Sequence, residues 1–174
     1  MSSWGRRIER AQELEREPAY GAARELLHYY VQLAQGRTEL EEPAAPAEPD
    51  GFASLTAVCP VCHGLPVVAV LRPEGEGGKR SLVCSLCFRE WEFRRLLCPQ
   101  CGEEDEQKLP VYTADLFPYI RIEACDSCRT YIKCIDMTRN GLAVPEVDEL
   151  AAVTLDIWAN NRNYTKLQPN ILGL

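Results

Sequence analysis

The sequence has no apolar segment long enough to cross a membrane. The longest uninterrupted apolar run, from Leu65 to Leu71, contains Pro66 and falls far short of the roughly 20 residues that a transmembrane helix needs. The N-terminal segment MSSWGRRIERAQELEREP is polar and lacks the apolar h-region of a secretory signal peptide. We therefore expect no membrane span and a cytoplasmic, reducing setting for the chain.

Positive charge is also scarce. The chain has 19 Lys and Arg residues against 26 Asp and Glu residues, which gives a formal net charge of −7. The basic residues form only local clusters, Lys79-Arg80, Arg89 and Arg94-Arg95, which we interpret as solvated faces of strands. Proteins that bind nucleic acid hold its phosphates with Lys and Arg, so the composition argues against general nucleic-acid binding.

The sequence lacks the usual arrangements of catalytic residues. It contains no Ser-His-Asp constellation, no glycine-rich loop that would cradle phosphate, and no pair of carboxylates in a catalytic context. Of the two histidines, we expect His28 on a helix surface and His63 exposed beside Cys62. We predict that the protein is not an enzyme.

Cysteine, by contrast, is abundant, and eight of the nine cysteines fall in four Cys-x-x-Cys pairs. Each pair can form a tight turn, a knuckle, with both sulfurs on one side, and two knuckles supply the four thiolates of a tetrahedral site. The count predicts two metal ions, iron or zinc. The predicted ligands are Cys59, Cys62, Cys84, Cys87, Cys98, Cys101, Cys125 and Cys128.

Two other uses of Cys-x-x-Cys pairs fit the sequence less well. A disulfide framework normally has varied spacings and an even number of cysteines. Thiol–disulfide exchange uses this motif at a helix start after a strand, whereas here four copies lie among predicted β-strands. A closed shell of four thiolates also leaves no open position for hydrolytic metal catalysis.

The cysteine-rich region contains an internal duplication. The pair CPVC at Cys59 corresponds to CPQC at Cys98, and CSLC at Cys84 corresponds to CDSC at Cys125. Each copy reads as knuckle, strand, turn, strand, knuckle, strand, which is the plan of a zinc ribbon. The predicted strands are 66–71, 81–83 and 90–94 in the first copy and 110–114, 119–123 and 131–136 in the second. We expect each copy to close its own site, although a crossed pairing is also open.

Helices are predicted on both sides of the ribbons. Apolar residues at intervals of three and four from Tyr20 to Ala34 indicate an amphipathic helix with Pro18 in its first turn and Gly36 at its end. A shorter helix over 3–15 precedes it. Residues 147–160, VDELAAVTLDIWAN, predict a C-terminal helix, followed by an irregular tail over 164–174. Between the N-terminal helices and the ribbons lies an acidic, proline-rich stretch, TELEEPAAPAEPDG.

These elements predict an α+β fold. Two tandem zinc-ribbon or rubredoxin-like four-cysteine β-ribbons are flanked by N-terminal helices and a C-terminal helix. The predicted units are an N-terminal helical segment (1–37), an acidic Pro-rich linker (38–54), the first ribbon (55–97), the second ribbon (98–146), and the C-terminal helix and tail (147–174).

Residues outside the four pairs are predicted to build the small ribbon cores. The ninth cysteine, Cys134, shares a strand face with Ile132 and is expected to be a buried structural thiol. The aromatic residues after the second knuckle of each ribbon are also predicted to lie in the ribbon cores. They are Phe88, Trp91 and Phe93 in the first ribbon and Tyr131 in the second.

The order and flanks of the pairs resemble the formate dehydrogenase accessory protein family, FdhE. The resemblance rests on the run CPVC…CSLC-x3-W-x6-CPQC…RIEACDSC-x2-Y-x-K and on the later segment DELAAVTLDIWA. It implies a cytoplasmic maturation factor with two rubredoxin-like sites that bind iron at least in part, and the eight family cysteines correspond to the eight predicted ligands. Family members are commonly longer, with a larger helical region before the ribbons.

The resemblance further implies a partner. This is the catalytic subunit of a molybdenum- or tungsten-dependent formate dehydrogenase, bound before its export or assembly. Two rival hypotheses are a rubredoxin-like redox protein and a zinc-ribbon module associated with nucleic acid or transcription. If the ribbon surface binds the partner, the candidate contacts are four arginines that we expect to be exposed, Arg89, Arg94, Arg95 and Arg121.

Overall fold

A computed structural model describes residues 3–36, 56–75 and 77–174. The predicted linker, residues 38–54, lies outside the described residues. The α+β fold is confirmed: helices precede and follow two ribbons, each of which contains one four-cysteine group. None of the described helices is long and apolar enough to span a membrane.

Both ribbons contribute to one continuous sheet. The first ribbon supplies β1 (Pro66–Glu74), β2 (Gly77–Cys84) and β3 (Glu90–Glu92), and the second supplies β4 (Val111–Ala114), β5 (Phe117–Ala124) and β6 (Thr130–Asp136). The strand order is β3-β2-β1-β6-β5-β4. Pairing is antiparallel within each ribbon, but β1 and β6 run parallel, with Val68 opposite Lys133. The six predicted strands are therefore present, and the parallel pair joins the ribbons edge to edge.

The tail is more regular than the sequence indicated. Residues Thr165–Lys166 form a short strand, β7, which pairs in parallel with Thr130 and Tyr131 at the start of β6. The expectation of an irregular tail is wrong at this point. The pairing holds the C-terminal segment beside the second ribbon.

The N-terminal helices differ in detail from the prediction. Helix α1 (Ser3–Arg16) is longer than α2 (Arg24–Gln35), and Pro18 opens a separate 3₁₀ helix, Pro18–Ala23, between them. Proline suits a first turn because it lacks the N–H that would be unpaired there, which explains a new helical segment at this position. The predicted apolar stripe is confirmed, since its buried members are Tyr20, Ala23, Leu27, Tyr30, Val31 and Ala34.

The C-terminal helix is broken where the sequence predicted a continuous one. Helix α3 (Pro145–Ala151) and helix α4 (Val153–Asn160) meet at Ala152, whose φ and ψ are −87° and 39°. Lys133 on β6 is fully buried, and its Nζ donates to the carbonyls of Glu149 (2.5 Å) and Ala152 (3.4 Å). A helix end needs partners for its free carbonyls, and this buried ammonium supplies them.

The sheet has a different core on each face. Helix α3 packs on β1 and β6, and α1 packs on α2 and α3, so the four helices cover one face. Buried residues of that core include Leu14, Leu27, Val68, Val70, Ile120, Ile122 and Ile135. The second cluster contains Ala69, Leu71, Leu82, Trp91, Phe93, Ile132, Cys134 and the knuckle cysteines Cys59 and Cys84.

A buried polar network fixes α1 against the rest of the chain. The guanidinium of Arg10 donates to both carboxylate oxygens of Asp148, at 2.7 and 3.0 Å. Tyr119 donates to the same carboxylate at 2.7 Å, and its hydroxyl lies 2.6 Å from that of Tyr20. Because Asp148 has no exposed surface, removing Arg10 would leave a buried charge without its cation.

Candidate metal centres

Each Cys-x-x-Cys pair folds into the same backbone turn. The N–H of the first cysteine donates to the carbonyl five residues later, at 2.8–2.9 Å in all four knuckles. The residue four positions after the first cysteine adopts a positive φ in each turn, and these residues are His63 (59°), Phe88 (55°), Gly102 (76°) and Arg129 (60°). Only one of the four is glycine, so three side chains tolerate a backbone conformation that glycine adopts more easily.

The first centre brings together the two knuckles of the first ribbon. The Sγ atoms of Cys59, Cys62, Cys84 and Cys87 all lie within 4.8 Å of one another. The Cys62 sulfur is 3.3 Å from that of Cys84 and 3.4 Å from that of Cys87. Cys59 and Cys84 are buried under the sheet, whereas Cys62 and Cys87 reach the surface.

The second centre repeats this arrangement in the second ribbon. The Sγ atoms of Cys98, Cys101, Cys125 and Cys128 also lie within 4.8 Å of one another. Cys98 and Cys128 are 3.7 Å apart, as are Cys101 and Cys125. The structure thus groups the knuckles in tandem, with one group of four cysteines in each ribbon.

The spacing of the sulfurs fits a tetrahedral metal ion. With a metal–sulfur distance of about 2.3 Å, the sulfurs of a regular tetrahedron are about 3.8 Å apart, close to the separations in both groups. Backbone amides also point at the sulfurs, since Val61 N–H donates to Cys59 Sγ at 3.5 Å and Leu86 N–H donates to Cys84 Sγ at 3.4 Å. Such bonds spread the thiolate charge. Both groups can therefore hold a metal ion.

Thiols within the two groups differ in their pKa. Burial raises the pKa of Cys62, but the Gly64 backbone and the neighbouring thiols outweigh it and lower the value to about 7. Burial and the neighbouring thiols raise the pKa of Cys87 to about 12. In the second centre, bonds from Thr130 outweigh burial and lower the pKa of Cys128 to about 7. Each group thus has one thiol whose pKa is lowered to about 7, and a bound cation further favours the thiolate form of its ligands.

The two centres differ in the contact between their knuckles. In the first, Leu86 lies over Gly64, and a Cβ on Gly64 would stand 3.0 Å from Leu86 Cδ1 and 3.0 Å from Cys84 Sγ. The corresponding residues of the second centre are Glu103 and Ser127, and the Ser127 hydroxyl donates to the Glu103 carboxylate at 2.6 Å. The hydroxyl bond lowers the pKa of Glu103 to about 2. An apolar contact in one ribbon thus corresponds to a charged hydrogen bond in the other.

The surfaces around the two centres also differ in polarity. Val58, Val61 and Leu86 are exposed hydrophobic residues at the first centre. The second centre is surrounded by acidic side chains, including Glu103, Glu104, Asp105, Glu106 and Asp126. Basic residues pair with several of these carboxylates, so the first centre presents an apolar surface and the second a charged one.

The remaining predicted residues are placed as follows. His28 and His63 are exposed, as expected. Cys134 has no exposed surface and lies in the second core cluster beside Ile132, at the position that corresponds to Phe93 in the first ribbon. This buried thiol belongs to neither group of four.

The predicted ribbon cores are wrong for Phe88 and Tyr131, whose side chains pack in the helical core instead. The Phe88 side chain points away from the first ribbon and packs edge-on against Trp4 of α1, with ring centroids 6.0 Å apart. Its backbone has a positive φ of 55°, which directs the side chain toward the helices. Tyr131 faces the helical core, where its hydroxyl donates to Asp156 at 2.7 Å.

The arginines that the sequence indicated as exposed differ in their environments. Arg94 is exposed but pairs with Glu104 at 2.9 Å, and Arg121 is half-buried and pairs with Glu123 at 2.7 Å. Arg89 is also half-buried, and Arg95 is exposed. The expectation of four exposed arginines is therefore wrong for Arg89 and Arg121.

Sequence reasoning missed several polar residues that support the centres. Thr130 lies 2.9 Å from Cys128 Sγ. Arg80, which the sequence indicated as solvated, is buried and pairs across the ribbons with Glu123 at 2.8 Å. The Glu103–Ser127 bond was missed as well. Their only sequence signal is position: each lies within a few residues of a cysteine pair or on a predicted strand.

Comparison with known proteins links the cysteine ribbons to one family. The family model for the FdhE central domain matches residues 58–95, and the model for the FdhE C-terminal domain matches residues 96–172. A curated relative, Protein FdhE homolog of Aquifex aeolicus, is 37% identical over 116 residues, which are 66% of this chain and 41% of that protein. The homolog of Shewanella oneidensis is 33% identical over 118 residues, 67% of this chain and 39% of that protein. The chain thus spans about two fifths of the length of these curated relatives.

A solved structure extends the similarity beyond the ribbons. The crystal structure of the FdhE protein from Pseudomonas aeruginosa matches with a TM-score of 0.65 at 25% identity, covering 90% of this chain and 65% of that one. A match over 90% of the chain is longer than the segment 58–172 that the family models cover. The similarity in fold therefore includes part of the N-terminal helices.

Proposed function

The chain belongs to the FdhE family, and from this premise we propose that it is a metal-binding accessory factor for formate dehydrogenase. In this role it binds the catalytic subunit of that molybdenum or tungsten enzyme in the cytoplasm during assembly. The observation that carries the proposal is the pair of four-cysteine groups within a chain segment that the FdhE family models match. It acts by binding rather than by catalysis.

The proposed metal ligands are the eight paired cysteines. Cys59, Cys62, Cys84 and Cys87 hold one iron or zinc ion, and Cys98, Cys101, Cys125 and Cys128 hold the other. The sulfur separations of 3.3–3.7 Å support this assignment. A bound ion of either kind links two knuckles that the small ribbon cores alone hold weakly.

The ribbons offer a rigid surface to the client. Both centres lie on the sheet, and the ion pair between buried Arg80 and Glu123 and the parallel β1–β6 pairing hold them in one orientation. The centres therefore stay at a constant separation, which suits recognition of a folded surface or an extended segment.

A role as a general nucleic-acid module is less well supported. Several exposed basic side chains are neutralised by nearby carboxylates: Arg72 pairs with Glu90 at 2.6 Å and Lys79 with Glu92 at 2.8 Å. Arg94 pairs with Glu104 in the same way. A phosphate-binding face needs uncompensated cations.

Rubredoxin-like electron transfer is a second candidate function, because Cys62 and Cys87 of the first centre reach the surface next to exposed Val61 and Leu86. Anaerobically purified protein with iron and a reversible spectral change on reduction would favour it. Protein that carries only zinc and shows no such change would dismiss it.

The accessory role is tested by co-purification. Tagged protein expressed in its own cell should retain the formate dehydrogenase catalytic subunit, and deletion of the gene should lower formate dehydrogenase activity. A double variant, Cys84→Ser with Cys125→Ser, should lose the association, whereas Cys134→Ala should retain it because Cys134 belongs to neither centre. Absence of association together with normal enzyme activity after deletion would refute the role.

A further inference from the structure

A groove lies on the face of the sheet opposite the helices, next to the second metal centre. Its volume is about 480 Å³, and Cys98 and Cys125 form part of its lining. This volume is within the range of roughly 300–1,000 Å³ that ligand pockets have. The groove walls are apolar and consist mainly of Leu96, Leu97, Leu109, Val111, Ile132 and Leu167.

The floor of the groove is charged. Arg80 donates to Glu123 at 2.9 Å and to the Arg94 carbonyl at 3.0 Å, so its guanidinium is held by the protein. Arg121 donates to Glu123 through Nε and Nη2, at 3.1 and 2.7 Å. Its third nitrogen, Nη1, has no hydrogen-bond partner among the described residues. The floor thus has two guanidiniums, one carboxylate and an unused donor.

A third arginine stands at the rim. Arg95 lines the groove and is exposed, and it has no ion-pair partner in the described part of the chain. Its neighbour Arg94 is paired with Glu104 at 2.9 Å and does not line the groove. The charged side chains that line the groove are three guanidiniums and one carboxylate, and they offset the negative charge that four thiolates around a divalent ion carry at the adjacent centre.

The groove opens at an edge of the sheet. Val111 is the first residue of β4, one of the two edge strands of the described sheet, and its exposed fraction is 53%. Val111 lies opposite Glu123 and Thr113 opposite Arg121, so these four side chains share one face. Extended peptides commonly bind along such an edge, with alternate side chains in the adjacent pockets.

We propose that this groove binds an extended segment of a partner protein in which an acidic side chain lies between apolar ones. The carboxylate pairs with Arg121 at the floor, with Arg95 adding attraction at the rim, and the apolar neighbours contact Leu96 and Val111. A guanidinium favours a carboxylate because it donates several hydrogen bonds in one plane. Because Arg121 Nη1 and Arg95 have no partner in the described part of the chain, they favour a segment that carries a carboxylate over a neutral one.

The test uses the full chain reconstituted with Zn²⁺ and a fluorescein-labelled, C-terminally amidated peptide, Val-Leu-Glu-Leu-Val, followed by fluorescence anisotropy. The peptide should bind saturably, and the version with Gln in place of Glu should bind roughly tenfold more weakly, because a charge-assisted hydrogen bond is lost. Affinity should fall as salt concentration rises. No saturable binding of the Glu peptide, or equal affinity for both peptides, would overturn the proposal.

Matched variants separate the groove from the rest of the surface. Arg121→Gln should weaken the affinity for the Glu peptide roughly tenfold, because the peptide carboxylate loses its guanidinium partner. The fold should be retained because Glu123 keeps its pair with Arg80. Val111→Glu should also weaken the affinity, because it places a negative charge in the groove lining. Val111 is already exposed, so this change should not disturb the fold. Leu142→Glu, at a side chain with an exposed fraction of 82% outside the groove, should leave affinity unchanged. An equal loss in the Leu142 variant would contradict the assignment.

Two further measurements sharpen the choice of site and occupant. Arg95→Gln should weaken binding more than Arg94→Gln, because only Arg95 lines the groove; the reverse order would contradict the assignment. Replacing residues 38–54 with Gly and Ser should leave affinity unchanged, whereas a large gain would mean that this chain's own acidic segment is the occupant. The peptide titration needs no formate dehydrogenase, so its failure and that of the accessory role are distinguishable.

Discussion

The two ribbons share one backbone plan but stabilise it through different contacts. All four knuckles have the same amide–carbonyl bond and a positive φ at the same position. Where the knuckles meet, the first ribbon has Gly64 under Leu86, and the second has a hydrogen bond between Glu103 and Ser127. A duplicated metal site can thus keep its ligand geometry while the contact between its knuckles changes from apolar to charged.

The ribbons also differ in how the rest of the chain supports them. The first contacts α1 through Phe88 and Trp4, with the Arg7 guanidinium 4.8 Å from the Phe88 ring centroid. The second rests on a buried ionic network in which Lys133 pairs with Glu149 at 2.9 Å and with Asp156 at 2.6 Å. The second ribbon thus adds a buried ionic network to aromatic contacts such as that between Phe117 and Tyr20, whereas Phe88 of the first ribbon makes an aromatic and cation–π contact with α1.

The largest expected effect comes from exchanging the knuckle contacts. Gly64→Glu should abolish metal binding at the first centre, because its Cβ would stand 3.0 Å from Cys84 Sγ and from Leu86 Cδ1. Adding Leu86→Ser should recover much of the binding, since it reproduces the Glu–Ser pair of the second ribbon. Competition with a chromogenic zinc chelator measures both variants. Unchanged affinity in Gly64→Glu would show that the contact does not matter.

Breaking the ion pair between the ribbons should have the next largest effect. Arg80→Met should lower the free energy of unfolding by about 2 kcal/mol, because it removes a charge-assisted pair between a buried guanidinium and Glu123, which keeps Arg121 as its other cation. Arg72→Met is the matched control: its pair with Glu90 is exposed and should contribute no more than about 1 kcal/mol. Urea denaturation gives both values, and equal effects would mean that the ribbons are not coupled through Glu123.

A pH series tests the electrostatic support of the second ribbon. Burial opposes ionisation of Glu149, but Lys133 and Lys166 outweigh it and lower its pKa. A lowered carboxyl pKa contributes stability that is present above the unfolded value of about 4.3 and is lost as pH falls through the folded value. The stability difference between wild type and Glu149→Gln should therefore be largest at neutral pH and shrink below about pH 4.3. Chemical denaturation at each pH checks this, and a difference that grows in acid would contradict it.

The smallest effect concerns the positive φ within the knuckles. His63→Gly should raise the free energy of unfolding by up to about 1 kcal/mol, because glycine adopts a φ of 59° without the cost of a side chain. The corresponding change in the second ribbon, Gly102→His, should lower it by a similar amount. Thermal unfolding of the zinc-loaded proteins compares the two, and shifts in the same direction would refute the equivalence of these positions.

The sequence predicts local features of this protein well and long-range features poorly. Cysteine spacing predicts the knuckles because each pair closes through bonds within six residues, as between Cys59 and Gly64. The parallel pairing of β1 with β6 could not be predicted, since the buried run at Val67–Leu71 has no polar alternation that would set a register. The helix break at Ala152 depends on Lys133 from a distant strand. Alanine itself is a strong helix former, so nothing local indicates the break.

The central claim is that each ribbon binds its own metal ion, and metal analysis of single cysteine variants tests it most directly. Elemental analysis of Cys84→Ser should show about one metal ion per chain instead of two, and Cys125→Ser should show the same. In the double variant, essentially no metal should remain. Loss of both ions in either single variant, or of neither, would contradict two centres with separate ligands.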